Sequence, residues 1–419
     1  MSAIPKALPS LSVEEYRTLV LRELRALPAE RVALADALGR TLAQAVTART
    51  AIPPFDNSSM DGYAVRRADL NGASALHPVT LPVVADLPAG IFDVSPLAPG
   101  TVATIMTGAP IPVGADAVVP LEQTDRSVEQ VALFVTPEPG AFIRLTGSDL
   151  SAGDRVLPAG VTLRERHLAA AASAGYSDVM VHRRPRVAVI STGSELVEPG
   201  LPLLPGQIPD SNSFLLRAAV EEAGGIAIPV GIVPDDDDLL RTTLADYADR
   251  VDAFLLSGGV SMGAYDVVKA VLAPLGVHFR TVRMQPGKPQ GFGHWATGVP
   301  IFALPGNPVS ALVSFEVFVR PALLSLQGCR LLERPVTRAI AVEGWRTPAG
   351  RRQYIPVSVL RGPDASAADG VIRVRPASRG GSGSHLVASL AAADGFAIID
   401  ESVDEIHPGD SVAVMMMES

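Results

Sequence analysis

With 419 residues the chain has length for roughly two to four domains, and 47% hydrophobic against 19% charged residues excludes a disordered polymer. Forty-four acids against 35 bases give a net charge of −9, which argues against a broad nucleic-acid footprint, although a local cluster of cations or backbone amides can still hold a small anion. One cysteine, Cys329, excludes both an intramolecular disulfide framework and a thiolate zinc cluster.

Near the amino end, Ser12-Val-Glu-Glu15 reads as a capping box, and Val13, Tyr16, Val20, Leu24 and Leu27 recur at helical spacing up to Pro28. A second helix is expected from Glu30 to about Leu38, closed by Gly39. Two amphipathic helices with little to pack on suggest docking on another domain, a second subunit or the rest of the chain. No basic segment followed by an apolar core opens the sequence, and no apolar run reads as long enough to cross a bilayer. The expectation is a cytoplasmic protein with neither membrane nor nucleic acid among its partners.

Ile52 to Arg66 is rich in turn formers and carries Asp56 and Asp61; the plain reading is a linker that becomes a strand at Tyr63. From Val79 to Phe142 short β-runs are cut by proline and glycine, as in an inserted β domain. An alanine-rich helix over Arg164–Ala174 is closed by Gly175. After Arg183-Arg184-Pro185 the rhythm becomes strand, helix, strand, with strands at 187–191, 226–233, 253–256, 278–283 and 301–304. Helices begin near Ser211, Asp236, Asp266 and Asn307. Largely apolar strands separated by helices predict a parallel sheet covered on both faces. From Leu331 onward, short alternating runs predict a small terminal β domain.

Four loops leave the carboxyl edge of that predicted sheet. They are Ser191-Thr192-Gly193-Ser194-Glu195, Ser257-Gly258-Gly259-Val260-Ser261 running on to Asp266, Pro286-Gly287-Lys288-Pro289, and Pro305-Gly306-Asn307-Pro308. Each joins glycine, which lets backbone approach a ligand, to a hydroxyl, amide, lysine or carboxylate. The fit is to a large phosphorylated ligand: amides and Lys288 on phosphate, with Glu195 and Asp266 carrying Mg²⁺ or activating a nucleophile. Neither a phosphate-binding Walker loop nor the dinucleotide fingerprint is present. The seven histidines have no paired metal-ligand spacing, and Asp235–Asp238 suits helix capping as well as a single metal-directed aspartate. Asn307 before Pro308 reads equally as a helix cap or a ligand contact.

Met60-Asp-Gly-Tyr-Ala-Val-Arg66, Met106-Thr-Gly-Ala-Pro110, Ser191–Glu195, Ser257–Ser261 with Asp266, Pro286–Pro289 and Leu304-Pro-Gly-Asn-Pro-Val-Ser-Ala311 together resemble the molybdopterin molybdenumtransferases. These are the molybdate-insertion enzymes of molybdenum-cofactor synthesis, and the gephyrin E domain is related to them. The resemblance covers nearly the whole chain in one motif order. It implies a multidomain α/β and β fold: an elongated helical amino-terminal domain (1–56 and 143–182), an inserted β domain (57–142), an α/β molybdopterin-binding domain (183–329) and a carboxy-terminal β-barrel (330–419). It further implies a Mg²⁺-dependent transferase that takes adenylyl-molybdopterin and molybdate and releases AMP. The implied assembly is a homodimer, with the molybdopterin adenylyltransferase as a candidate partner.

Carried over by motif, Asp61 and Thr107 come from one subunit, with Glu195, Asp236 and Asp266 from the other as catalytic and metal-binding acids. Ser191, Thr192, Gly193, Ser257, Gly258, Gly259, Ser261, Pro286, Gly287, Pro305, Gly306 and Asn307 line the pterin site. Lys288, Arg351 and Ser384 match the family's molybdate pocket, and Asp149 its Gly-Glu-Asp acid. Ser148, Ala264 and Gln285 depart from the family pattern. The alternatives are the sister adenylyltransferase, which resembles the α/β domain alone, and a non-catalytic, gephyrin-like pterin-binding scaffold.

Overall fold

A computed structural model describes residues 9–91, 93–260, 267–361, 371–378 and 387–417. It comprises two compact units, one of Arg31–Leu38 with Gln44–Met180 and one of Met1–Glu30, Gly39–Ala43 and Val181–Ser419.

The first helix, α1 (Val13–Arg22), opens with the expected capping box: Ser12 Oγ accepts from the Glu15 N–H, and the Glu15 carboxylate accepts from the Ser12 N–H. Its buried Val13, Tyr16 and Val20, with Leu24 beyond, enter the main core of the Val181–Ser419 unit, where Tyr16 meets Phe318 edge-on at 4.8 Å between centroids. This face therefore docks within its own chain. The helix stops at Arg22 rather than at Pro28; Leu27 instead gives its N–H to the Leu326 carbonyl. No helix forms over Glu30–Leu38. Ala29–Ala33 is a strand and Leu34–Asp36 a single 3-10 turn, with Arg31 paired to Asp178 and the Leu34 N–H on the Ser177 carbonyl. Tertiary pairing outweighs a short helical pattern there.

In the unit built around Gln44–Met180, five strands form one sheet: β1 (Gly62–Val65), β2 (Val79–Leu87), β3 (Val102–Ile105), β4 (Ala117–Pro120) and β5 (Gln130–Leu133), in the order β4-β1-β3-β2-β5. Only β2 and β3 are parallel. Alternation sends Tyr63 and Val65 to one core with Val119 and Leu133, and Ala64 to another with Ile105 and Val118. Helix α2 (Glu165–Ser173) ends before Gly175, whose φ of +88° suits a left-handed helix terminus.

The other unit contains the six-stranded sheet that positions the cleft. In chain order its elements are β6 (Arg186–Thr192), α3 (Asn212–Glu222), β7 (Ile226–Val233), α4 (Asp237–Tyr247), β8 (Ala253–Ser257), α5 (Val267–Leu272), β9 (His278–Thr281), β10 (Pro289–His294) and β11 (Pro300–Leu304). The spatial order is β7-β6-β8-β11-β10-β9. The first four strands are parallel, and helices on both faces bury them in two separate cores.

Two strands correct the all-parallel expectation: β10 runs antiparallel to β11, and β9 antiparallel to β10. The link from β9 to β10 is too short for a parallel crossover. The strand β10 was not foreseen, because Pro289-Gln-Gly-Phe-Gly-His294 is poor in strand formers. Its glycines answer to packing: a Cβ at Gly291 would lie 2.8 Å from the Phe279 ring, and one at Gly293 2.6 Å from the Val277 backbone.

After β11, α6 (Pro308–Ser314) continues through a π turn at Phe315–Val319 into α7 (Arg320–Leu326). The π turn lies just ahead of Pro321, which has no N–H to contribute to an α ladder. By length and composition Pro308–Leu326 could cross a membrane, contrary to the sequence reading, but 78% of it is buried inside the protein as the central core helix.

Strands β12 (Val336–Ala341), β13 (Arg352–Val359), β14 (Arg373–Pro376), β15 (Gly395–Ile399) and β16 (Ser411–Met416) close on themselves in the order β13-β14-β12-β16-β15-β13. This is the expected terminal barrel. Met284–Gln285 adds to β13 in parallel, which brings the chain just before Pro286 to the barrel edge.

Candidate active site

The chain order of the parallel strands reverses direction between β6 and β8: β7 lies on one side of β6, and β8 and β11 follow on the other. At such a switch point the connecting loops diverge and leave a crevice beyond the strand carboxyl ends. Here the crevice is a cleft of about 670 Å³. Thr192, Gly193 and Glu195 reach it from β6, Ser257, Gly258, Gly259 and Val260 from β8, and Pro305, Gly306 and Asn307 from β11. Leu196, Ile208, Asn212, Asp235, Pro289 and Ser310 complete the lining.

The strand ends are tied to each other. Gly258 N–H donates to the Leu304 carbonyl at 3.1 Å, Gly193 N–H to the Val233 carbonyl at 3.3 Å, and Thr192 Oγ1 to the Ser257 carbonyl at 3.3 Å. Gly258 has φ +103°, and a Cβ there would sit 2.3 Å from the Thr192 carbonyl oxygen. Only glycine fits that junction.

The acids divide in an unforeseen way. Asp236 spends its Oδ1 on the Leu239 N–H as the N-cap of α4. Its neighbour Asp235 is the one that lines the cleft, held by a reciprocal pair in which Ser194 N–H donates to Asp235 Oδ2 and Asp235 N–H to Ser194 Oγ, both at 3.1 Å. That pair fixes the residue next to Glu195, whose carboxylate is exposed and also lines the cleft. Among the described residues no group of three or more His, Cys, Asp or Glu side chains could form a metal cage. Magnesium bound through substrate phosphates needs only one or two carboxylates, so Glu195 and Asp235 fit such an ion, whereas a preformed protein cage is not provided.

Other expected residues, Asn307 apart, surround the cleft without lining it. Ser191 is buried beneath and donates to Asp210 Oδ1 at 3.0 Å. Pro286, Gly287 and Lys288 form the loop just before Pro289; Lys288 is exposed, and no described carboxylate lies within ion-pair distance of it. Arg351 approaches the same loop, its Nη1 3.5 Å from Gln285 Oε1. Asn307 occupies the N-cap position of α6 but makes no capping bond with its side chain. Ser261, Asp266 and Ser384 lie outside the described residues.

In the Gln44–Met180 unit, Asp61 and Thr107 are brought together across 46 positions. Asp61 Oδ1 accepts from the Thr107 N–H at 2.7 Å and from its Oγ1 at 2.8 Å. The Thr107 backbone N–H and then its hydroxyl hold the exposed Asp61 carboxyl below its usual range. Asp61 thus does more than close the turn before Tyr63. Gly62 after it is required, because a Cβ there would fall 2.1 Å from the Val119 carbonyl oxygen. Asp56 repeats the arrangement with Thr146, with the same downward effect on its carboxyl. Asp149 gives its N–H to the Ile52 carbonyl.

Asn212, Asp235 and Gln290 are the polar groups that sequence reading missed. Asp235 was one position away from the aspartate chosen, and cap geometry decides between the two. Asn212 stands in Asp210-Ser-Asn212, a polar cluster at a helix start that could have been noticed.

Comparison with known proteins agrees with this architecture. Three family models match in order: the MoeA N-terminal region (domain I and II) over residues 11–175, a probable molybdopterin binding domain over 188–325, and the MoeA C-terminal region (domain IV) over 338–417. A protein of Mycobacterium tuberculosis (strain ATCC 25618 / H37Rv) named molybdopterin molybdenumtransferase 2 is 44% identical over 410 residues, 96% of this chain and 98% of that one. Molybdopterin molybdenumtransferase of Nostoc sp. (strain PCC 7120 / SAG 25.82 / UTEX 2576) is 39% identical over 393 residues, covering 93% and 88% of the two chains. The crystal structure of a molybdopterin biosynthesis MoeA protein from Pyrococcus horikosii superposes with a TM-score of 0.82 at 33% identity, over 98% of this chain and all of that one.

Proposed function

The chain belongs to the molybdopterin molybdenumtransferase (MoeA) family, and from that premise we propose how its own residues carry out molybdate insertion. The protein is a transferase of molybdenum-cofactor synthesis whose substrates are adenylated molybdopterin and molybdate. The phosphoanhydride is cleaved, AMP leaves, and molybdenum joins the dithiolene. The observation that carries the reading is the convergence of three glycine-bearing strand ends with Glu195 and Asp235 on one cleft.

In this proposal the amides and hydroxyls of Thr192–Gly193, Ser257–Gly259, Ser261 and Gly306–Asn307 hold the phosphorylated pterin. Lys288 and Arg351, with Ser384, receive molybdate, a dianion that wants cations and donors. Glu195, Asp235 and Asp266 are the acids that would hold Mg²⁺. When bound, the ion neutralises charge on the phosphate oxygens. Asp236 keeps α4, and hence Asp235, in place. Asp61 and Thr107 act from the opposite protomer of a homodimer, their mutual hydrogen bonds presenting an ionised carboxylate. The division at residues 56, 142, 182 and 329 is retained as part of the proposal.

Purified protein with adenylated molybdopterin, Mg²⁺ and molybdate should release AMP in proportion to added molybdate. Glu195→Ala and Asp266→Ala should bind the pterin but turn over at least a hundredfold more slowly, the scale of a lost acid–base or metal group. Adenylation of molybdopterin from ATP would favour the sister adenylyltransferase instead, and binding without any turnover a scaffold.

A further inference from the structure

Two of the cleft loops share one design. Pro286-Gly287-Lys288-Pro289 and Pro305-Gly306-Asn307-Pro308 are both Pro-Gly-X-Pro, and each glycine carbonyl is held by a buried side-chain amide from elsewhere in the chain. Gln290, 1% exposed, donates Nε2–H to the Gly287 carbonyl at 2.7 Å and to Ser314 Oγ at 2.7 Å. Asn212, 9% exposed, donates Nδ2–H to the Gly306 carbonyl at 2.6 Å and to Ser257 Oγ at 2.7 Å. The orientation of the Asn212 amide follows from chemistry: turned over, its oxygen would face the Gly306 carbonyl, which has no proton to give. Its Oδ1 is buried with no partner among the described residues, so the two Nδ2 bonds are what fix this side chain.

The consequence is one of polarity. In a trans peptide the C=O and the following N–H point in opposite directions. A Gly287 carbonyl drawn inward turns the Lys288 N–H away from Gln290, and no described group accepts that N–H. A Gly306 carbonyl drawn inward likewise turns the Asn307 N–H away from the Asn212 side chain. Ser257 Oγ, with a lone pair engaged by Asn212, keeps its own proton for a cleft ligand, and no described acceptor takes it. Glycine peptides flip readily, and Gly287, at φ +98°, has the freedom to do so. A flipped peptide would place a carbonyl oxygen where an anion binds.

We infer that Gln290 and Asn212 are positioning residues that lock the two Pro-Gly-X-Pro loops with donors, and no carbonyl, facing the substrate oxyanions. This rests on the reading that the cleft takes a phosphorylated pterin beside molybdate. Gln290 serves the molybdate side through Lys288, whose ammonium and backbone amide then act together. Asn212 serves the pterin phosphate side through Ser257 and Gly306.

The test exploits the rarity of lysine. The chain contains only Lys6, Lys269 and Lys288, so protein labelled with ¹⁵N-lysine gives three backbone amide signals. Titrating wild type with molybdate should move the Lys288 signal. Gln290→Met, close in volume but without a donor, should abolish that movement and raise the molybdate KM roughly tenfold or more at little-changed kcat, the worth of one hydrogen bond to an anion. Gln290→Glu adds a readout that a packing role would not give. Its buried carboxyl, with a raised pKa, donates when protonated, so molybdate KM should be near wild type at low pH and climb with pH. Asn212→Leu should raise the adenylated pterin KM and leave that of molybdate unchanged. If wild type turns over with molybdate but its Lys288 amide stays still, or Gln290→Met retains wild-type KM, the inference is wrong. A wild type with no molybdate-dependent AMP release would instead overturn the functional reading beneath it. If Gln290→Met does not fold, the wild-type titration and the pH profile of Gln290→Glu still decide.

Discussion

Replacing Gly258 by alanine probes how tightly the strand ends are joined beneath the cleft. Two costs combine. The residue sits at φ +103°, a backbone region that costs an L side chain about 1–2 kcal/mol. The new Cβ would also lie 2.3 Å from the Thr192 carbonyl oxygen and 2.8 Å from Thr192 Oγ1, so β6 and β8 must separate locally, at an overpacking cost of about 1–3 kcal/mol. The sum is about 2–5 kcal/mol. Gly306→Ala is the matched control, because its Cβ would meet the Gly258 Cα at 3.4 Å and the Gly258 nitrogen at 3.9 Å, both ordinary contacts. It should change stability by less than about 1 kcal/mol while weakening ligand binding in the cleft. Urea unfolding followed by tryptophan fluorescence suits the comparison, since Trp295 packs on the α/β core and Trp345 in the barrel core, both in the Val181–Ser419 unit. If Gly258→Ala unfolded within about 0.5 kcal/mol of wild type, the size of an ordinary surface change, the argument for a glycine-only junction would fail.

Three further outcomes follow from the geometry. Arg334→Ala should destabilise the same unit by about 3–5 kcal/mol, because it strands the buried Glu316 carboxylate that Arg334 holds at 2.6 Å, with only Arg320 remaining at 3.9 Å; a loss below about 1 kcal/mol on chemical denaturation would contradict this. Tyr16→Ala should cost about 3–5 kcal/mol by emptying the contact with Phe318, and an unchanged unfolding midpoint would mean that α1 does not dock as described. The Asp61 carboxyl, followed by carbon NMR, should titrate below the usual 3.8, and Thr107→Val, which removes one of its two donors, should move it upward. The sign follows from a depressed folded-state value: the Thr107 contact is intact above the ordinary carboxylate range and is lost as pH falls through the lowered one.

The sequence made the strand ends legible because glycine, serine and proline punctuate apolar runs at each one, and those runs need only local pattern to be recognised. It also marked the barrel strands, whose alternation survives in short stretches. What it hid depends on partners distant in sequence. β10 pairs through glycines that exist for the Phe279 ring and the Val277 backbone, so its composition imitates a loop. Ala29–Ala33 is a strand because of Ser177 and Asp178, far along the chain. Asp235 and Asp236 are chemically identical neighbours, and only the Leu239 N–H and the Ser194 backbone sort one into a cap and the other into the cleft. Asn212 and Gln290 carried no motif, since their roles are defined by carbonyls that the fold brings to them.

The most direct measurement of the central claim is a crystal structure of the protein soaked with adenylated molybdopterin. The account predicts ligand density in the cleft between Thr192–Glu195, Ser257–Val260 and Pro305–Ser310, with phosphate oxygens against those backbone amides. Ligand bound at full occupancy elsewhere, with this cleft left to solvent, would contradict it.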